Sequence, residues 1–409
     1  MKIYKFGGAS VRNPEGIQNL AHIISLCETE PLVVVVSAMG KTTNALERVL
    51  AALMAHDRVE AAREWNDIIA YHDAILASLG LPPETLPYRA LPALQDEHNY
   101  DLSYDQLVSL GELTSTAIID AYLRSQGFDS CLLDMTRLLR TDATYRDANV
   151  DLDTSAGLLC EAVRHAGHRI CIAQGFIGGT VDGLRTTLGR EGSDYTAALI
   201  GNFLNADSVT IWKDVPGILN ADPRLVKDTV LIPELRYHDA VELSYSGAQI
   251  IHPKTIRPLE NKRIPLYVKP FGDPTAAGSK IHADAAGPIN VPVYIWRKNQ
   301  VLITIRPKDF SFVLEQSLNQ LFEIIHRHRL KVSLIQSSAV TISVSVDHTR
   351  YVDDALRELS QQFRLNYNEG LSLLTIRGTT PEILHRESAN RQILLSQTTR
   401  RTARLLISE

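Results

Sequence analysis

The chain has 409 residues, 44% of them apolar and 22% charged, which suits two or three domains that each bury a core. A net charge of −5 gives no reason to expect nucleic acid or an anionic membrane as a partner, though it leaves room for a local basic pocket that holds a small anion. The opening KIYKF is not a signal-peptide run, and no segment approaches about eighteen uninterrupted apolar residues, so a cytoplasmic protein is expected. Cys27, Cys131, Cys160 and Cys171 form no CxxC pair and no zinc-type cluster, and read as reduced, buried thiols.

In chain order, residues 3–6 form a short strand that ends in Gly7-Gly8, and residues 14–27 a helix with Ile17, Leu20 and Ile24 on one side. Residues 32–36, LVVVV, have the continuous apolar character of a parallel strand covered on both faces. A polar loop and a helix follow, then a long helical excursion from 51 to 79 that a cluster of prolines breaks. A helix is expected over 109–123, and strands over 130–133, 169–173 and 208–212, with a helix over 195–205 between the last two. The repeated strand–loop–helix order predicts an α/β sandwich with its ligand crevice at the carboxyl ends of the strands.

A Gly-, Ala- and Pro-rich boundary falls near 275–298. Beyond it the order strand, helix (311–328), two strands, helix (351–362), strand predicts a ferredoxin-like α+β unit over about 299–370. A shortened second unit, about 371–409, adds one helix near 381–395 and a closing strand.

No Walker-type loop, GxGxxG, kinase HRD or DFG, or GxSxG is present. Glycine loops open at strand ends instead. In YKFGGAS, Lys5 precedes Gly7, Gly8 and Ser10, an arrangement that lets backbone N–H groups and one point charge meet phosphate oxygens, or that is simply a turn after a surface lysine. In VVVVSAMGKTTN, Ser37, Gly40, Thr42 and Thr43 make a hydroxyl- and amide-rich lip before a helix, favourable to a carboxylate or phosphate. In TTLGREGSDYTAALI, Ser193 or Asp194 can cap the next helix. Arg190 opposes the dipole of that helix, and is better explained as a bidentate grip on a carboxylate or as half of an internal salt bridge.

Further along, Lys213, Asp214, Gly217, Asp222 and Arg224 suit the edge of a polyphosphate pocket or a turn fastened by an Asp–Arg pair. SLGELTSTA places Glu112 at a helix start, where the dipole already favours a carboxylate, or facing the crevice to meet an amine. His252 before Pro253 reads as a structural turn. Cationic and acidic groups beside strand-end glycines, without a nucleophilic triad or metal cluster, suit phosphoryl transfer from a Mg²⁺–nucleotide to an oxygen acceptor.

These segments, with AQGFIG, LSYSGAQIIHPKTI and YVKPFGDPTAAG, resemble in order the signature segments of aspartate kinase across residues 1–281. The resemblance implies the three-layer α/β/α sandwich of the amino-acid kinases over 1–285, followed by an ACT-type regulatory region over 298–409. It implies ATP-dependent phosphorylation of the β-carboxylate of L-aspartate to 4-phospho-L-aspartate, the entry to lysine, threonine, methionine and diaminopimelate synthesis. By the same resemblance Lys5 and Asp194 are catalytic, and Ser37, Thr43, Glu112, Arg190 and Ser193 hold the substrate. Lys5, Gly7, Gly8, Lys213, Asp214 and Arg224 meet ATP, with Mg²⁺ carried by the nucleotide and no dedicated metal ligand. A homodimer through the ACT-type region is implied, as is a lysine or threonine effector at a segment that contains Ser338.

Four positions depart from the family pattern. Ala9 and Glu191 replace a threonine and a glycine; Glu191 is expected to point away from the anion site or to pair with a cation. Gln249 replaces a lysine, and Ala339 replaces a glutamate of the effector segment. The competing readings are a non-catalytic amino-acid sensor and a kinase for another small acidic amino acid.

Overall fold

The computed structural model describes residues 1–27, 30–248, 251–287, 289–308 and 315–408. It divides into two compact units: unit 1 is Met1–Ile218, Leu231–Ser244 and Gln249–Pro288, and unit 2 is Leu219–Val230, Tyr245–Ala248 and Ile289–Glu409.

Unit 1 begins with β1 (Lys2–Phe6), α1 (Pro14–Ser25), β2 (Leu32–Val36), α2 (Thr42–Met54), α3 (Arg58–Leu79) and α4 (Tyr100–Ser125). Next come β3 (Ser130–Leu133), α5 (Met135–Leu138), α6 (Leu152–Ala166), β4 (Ile170–Gln174), and the short hairpin β5 (Ile177–Gly179) and β6 (Arg185–Thr187). It closes with α7 (Gly192–Phe203), β7 (Ser208–Lys213), β8 (Glu234–Leu235), α8 (Tyr237–Tyr245), α9 (Pro253–Asn261), β9 (Leu266–Pro270) and β10 (Ser279–Ile281).

The main sheet runs β3-β4-β2-β1-β7-β9-β10-β8. Its first six strands are parallel, with β1 held between β2 and β7 in the registers Lys5↔Val35 and Lys5↔Ile211. Alternate residues divide the faces. Phe6, Val34, Val36, Ile170, Ile172 and Trp212 join one core with α1, α3 and α4, while Ile3 and Val209 meet α7 and α9 around Gly201. Helices on both faces explain why β2 is apolar at every position, and give the α/β/α layering of an amino-acid kinase fold.

Unit 2 contributes β11 (Val293–Pro307), α10 (Glu315–Arg327), β12 (Val332–Ser337), β13 (Ile342–Asp347), α11 (Val352–Gln362), β14 (Phe363–Arg377), α12 (Pro381–Ser388), β15 (Ile393–Thr398) and β16 (Thr402–Ser408). They form one antiparallel sheet, β12-β13-β11-β14-β16-β15. The strand expected after the 351–362 helix runs on past the end of the first unit as one fifteen-residue strand, β14. Its partner β11 pairs through Val293–Arg297 in one half and Gln300–Pro307 in the other, with a register shift between. The second half-sheet thus draws a strand from ahead of the first. The helix expected to run to 395 ends at Ser388, and Ile393 starts a strand.

Candidate active site

The parallel strands deliver their carboxyl ends to one side of unit 1, and hydrogen bonds tie the loops there together. Gly40 N–H donates to the Gly8 carbonyl at 2.9 Å, and Gly175 N–H to the Val36 carbonyl at 2.9 Å. The Ser115 hydroxyl donates to the Ser37 carbonyl at 2.9 Å. A Cβ at Gly8 would lie 2.4 Å from the Ala38 carbonyl oxygen, so only glycine lets the first two loops close on each other. A Cβ at Gly175 would lie 2.5 Å from Cβ of Ser193, which brings the β4 loop against the start of α7.

Lys5 and Asp194 meet at the floor. The Lys5 Nζ lies 2.6 Å from Asp194 Oδ1, and the Lys213 Nζ 3.8 Å from Oδ2. Asp194 is 3% exposed. Burial works against its charge, but the fields of Lys5 and Lys213 outweigh it and hold the carboxyl below the ordinary aspartate range. Neither Ser193 nor Asp194 caps α7, as the sequence suggested. The cap position is Glu191, at φ 55° and without a side-chain hydrogen bond, and Asp194 is turned to the lysines.

Glu112 differs more from expectation. Helix α4 starts at Tyr100, capped by Asn99, so Glu112 stands mid-helix, where the N-terminal dipole gives it nothing. It is 3% exposed. One carboxylate oxygen accepts the Ala38 N–H at 3.1 Å, and the other is buried with no partner among the described residues. Burial pushes its pKa up to about 8, against the Ala38 hydrogen bond and the field of Lys5.

Around this floor, several polar groups are unspent. Arg190 is exposed and makes no hydrogen bond or ion pair among the described residues. The hydroxyls of Ser37 and Thr43, half-buried, and of Ser193, buried, likewise make no hydrogen bond among the described residues. Helix α2, which carries Thr43 in its first turn, has no side-chain cap, so its free N–H groups open toward the loop. Gly7 stands so that a Cβ would lie 3.6 Å from the Lys5 Nζ.

The remaining expected residues are more scattered. Asp214 is exposed. Arg224 falls in unit 2, where its Nη2 lies 2.7 Å from Asp222 Oδ2, the Asp–Arg fastening that was the alternative for this turn. His252 caps α9, its Nδ1 accepting the Lys254 N–H at 3.2 Å. In unit 2, the Ser338 hydroxyl lies 2.7 Å from the Thr341 hydroxyl and accepts the Thr341 N–H within the β12–β13 turn, with Ala339 exposed beside it. Ala9 is exposed as well. Glu191 is half-buried with one oxygen unpartnered among the described residues, so of its two expected arrangements the pairing with a cation is not found there. Gln249 lies outside the described residues.

Three supports had no sequence signal. Phe176 sits at φ 69° and packs against Gly192, so two non-glycine residues near this site, Phe176 and Glu191, occupy the left-handed region. Asp105, fully buried, accepts the N–H groups of Arg146 and Thr187 and the Thr187 hydroxyl, which fastens α4 to the hairpin leading into the Arg190 loop. Burial raises its pKa to about 6 despite those donors. Asp147 lies against Gly189 and pairs with Lys254.

A cluster of strand-end glycines, paired lysines on a buried aspartate and an open helix N-terminus is the equipment of a phosphoryl-transfer enzyme. The chain belongs to the amino acid kinase family, whose model matches residues 1–270, and within it to the aspartokinases. It is 31% identical over 399 residues to lysine-sensitive aspartokinase 3 of Escherichia coli K12, an alignment that covers 92% of this chain and 86% of that one. It is 34% identical over 286 residues to an aspartokinase of Chlamydia pneumoniae, where 69% of this chain spans 62% of the relative. The crystal structure of E. coli aspartokinase III in complex with aspartate and ADP superposes with a TM-score of 0.83 at 28% identity, covering 100% of this chain and 96% of that one.

Proposed function

We propose that the chain transfers the γ-phosphoryl group of ATP to the β-carboxylate of L-aspartate, giving 4-phospho-L-aspartate. One observation carries the reading: the field of Lys5, held in the Lys5–Asp194–Lys213 cluster, reaches a buried Glu112 carboxyl whose second oxygen has no partner among the described residues, and Arg190 and the hydroxyls of Ser37, Thr43 and Ser193 make no hydrogen bond or ion pair among them. Buried polar groups are normally satisfied, so the Glu112 oxygen fits a ligand that supplies the missing bond. A diacid with an ammonium group does so. Its α-carboxylate takes Arg190 and its ammonium takes Glu112. Ser37, Thr43 and Ser193 hold its oxygens, and the β-carboxylate faces Lys5.

That acceptor has an ordinary carboxyl pKa of about 4, so it is already a nucleophile at neutral pH and no general base is required. Lys5 offsets charge on the transferred oxygens, and Asp194 fixes Lys5 and Lys213 in position. Gly7 and Gly8 admit the phosphates, with Lys213 and Asp214 beside them; for Arg224 the assignment rests on its motif alone. Mg²⁺ arrives on the triphosphate and supplies further charge neutralisation. Asp194, already neutralised by two lysines, fits that role for the metal better than a metal site of its own.

Residues 1–285 form the catalytic part in this reading and 298–409 an ACT-type regulatory part, with the chain a homodimer. The E. coli relative is lysine-sensitive by name, which makes lysine the first effector to try, ahead of threonine. The test is incubation with ATP, Mg²⁺ and L-aspartate, trapping the acyl phosphate with hydroxylamine. A hydroxamate is expected with aspartate and not with glutamate or N-acetylated acids. Its absence with aspartate, or equal yield with glutamate, would overturn the reading.

A further inference from the structure

Glu112 lacks the counter-charge that a buried carboxylate needs. Among the described residues its carboxylate takes one N–H, from Ala38, and its second oxygen has no hydrogen-bond partner. The field that reaches it is that of Lys5, and Asp194 holds Lys5 at 2.6 Å. Charged and titratable groups on the elements packed around α4 are engaged elsewhere. On α2, Glu47 accepts the Tyr104 hydroxyl. On α3, His72 is directed to the Ile68 carbonyl, and burial favours its neutral form. Arg185 of β6 binds the Ser109 hydroxyl and the Gln106 carbonyl. Within α4 itself, Asp105 is spent on Arg146 and Thr187, and Asp120 on Arg124 and Ser130. Ionising Glu112 in the empty site therefore leaves an uncompensated buried anion, and the protonated acid is preferred past neutral pH.

We propose that L-aspartate enters this site by cation exchange: its ammonium group displaces the proton of Glu112, which passes to solvent, and takes the proton's place beside the carboxylate. No other bond forms or breaks; a neutral acid plus an ammonium becomes an ion pair plus one released proton. This inference rests on the reading of Glu112 as the partner of the substrate's amino group, and adds how that partnership is made. The α-amino group is then recognised as charge. Succinate, which lacks it, meets a protonated Glu112 and releases nothing.

The test is calorimetric titration of the full chain with L-aspartate and with succinate, in buffers of different ionisation enthalpy, from pH 6 to 9. About one proton should leave per aspartate bound at pH 6.5, falling toward zero at pH 9. The aspartate Kd should tighten about tenfold per pH unit well below pH 8 and then level off. Succinate, and aspartate with the E112Q variant, should release no proton, and E112Q should bind aspartate more weakly. Aspartate binding to the wild type without proton release at pH 6.5, with E112Q still weakened, would overturn the exchange and leave the subsite assignment standing. Unchanged aspartate affinity in E112Q would overturn the subsite assignment itself.

Discussion

Lys5 and Arg190 carry the same charge in contrasting settings, and this separates what their removal should do. Lys5 is buried against Asp194 at 2.6 Å, while Arg190 is exposed and unpaired among the described residues. Steady-state kinetics of Lys5→Met should show kcat down by about 10²- to 10³-fold, as for other lost electrostatic stabilisers. Arg190→Ala should raise the aspartate KM by about 30- to 100-fold and leave the ATP KM within about twofold. Wild-type values in both variants would contradict the assignments. Glu112 supplies a stability prediction with a definite sign. Its folded pKa is raised from 4.5 to about 8, so between those values the folded state holds a proton that the unfolded chain has lost. Its contribution to stability is therefore full below about pH 4.5 and falls as pH rises to 8, by at most about 1.4 kcal/mol per unit. Glu112→Gln removes that slope and can still accept from Ala38. Thermal melts should find the variant gaining on the wild type steadily from pH 5 to 8, whereas a constant difference would count against a buried protonated acid.

At the scale of elements, the site depends on how closely the loops after β1, β2 and β4 approach. Gly8→Ala must push its Cβ away from backbone oxygens of Ala38 and Gly40, which cannot rotate aside. A loss of about 1–3 kcal/mol in unfolding free energy is expected, together with a fall in kcat/KM for ATP of at least about tenfold. Denaturant titration and initial rates would check both, and unchanged values would mean that the two loops are not locked as described. The elements also show which sequence signals were sufficient. The strand β2 was readable, because a run of apolar residues acts locally; the His252-Pro253 pair, read as a turn, is instead the capped start of α9. The start of α4 was not readable either. Tyr100, Tyr104, Leu107 and Val108 do carry helical spacing, i, i+4, i+7, i+8, but they follow a proline-rich stretch and were not read as helix. In the fold Tyr104, Leu107 and Val108 are buried in one core with α2 and α3. Placing Glu112 at a helix start followed from missing the first nine residues of α4, about two and a half turns.

For the whole molecule, the order of strand and helix signals was enough to place a parallel sheet in the first two thirds and an antiparallel α+β region after it. It was not enough to separate the units. Asn220 donates through its side chain to the Pro292 carbonyl, and the Tyr294 N–H donates to the Asn220 carbonyl, so a loop of the first region in sequence belongs to the second in space. The C-terminal antiparallel region is also where assembly is proposed. Multi-angle light scattering should give the mass of two chains at micromolar concentration, and a concentration-independent monomer would refute the dimer.

By itself, the sequence determined the class of fold and singled out the glycine loops at the strand ends, where the chemistry is proposed. Those features are written in contiguous segments: glycine where backbones approach, apolar runs where both faces are covered, charge beside strand ends. The tertiary structure alone decided that Asp194 faces two lysines instead of capping α7, that Glu112 is a buried acid with one oxygen unpartnered among the described residues, and that Phe176 and Glu191 take the left-handed conformation. Each depends on which distant segment comes to lie alongside. Desolvation and fields from neighbouring charges fall off over a few ångströms in space, whatever the separation along the chain.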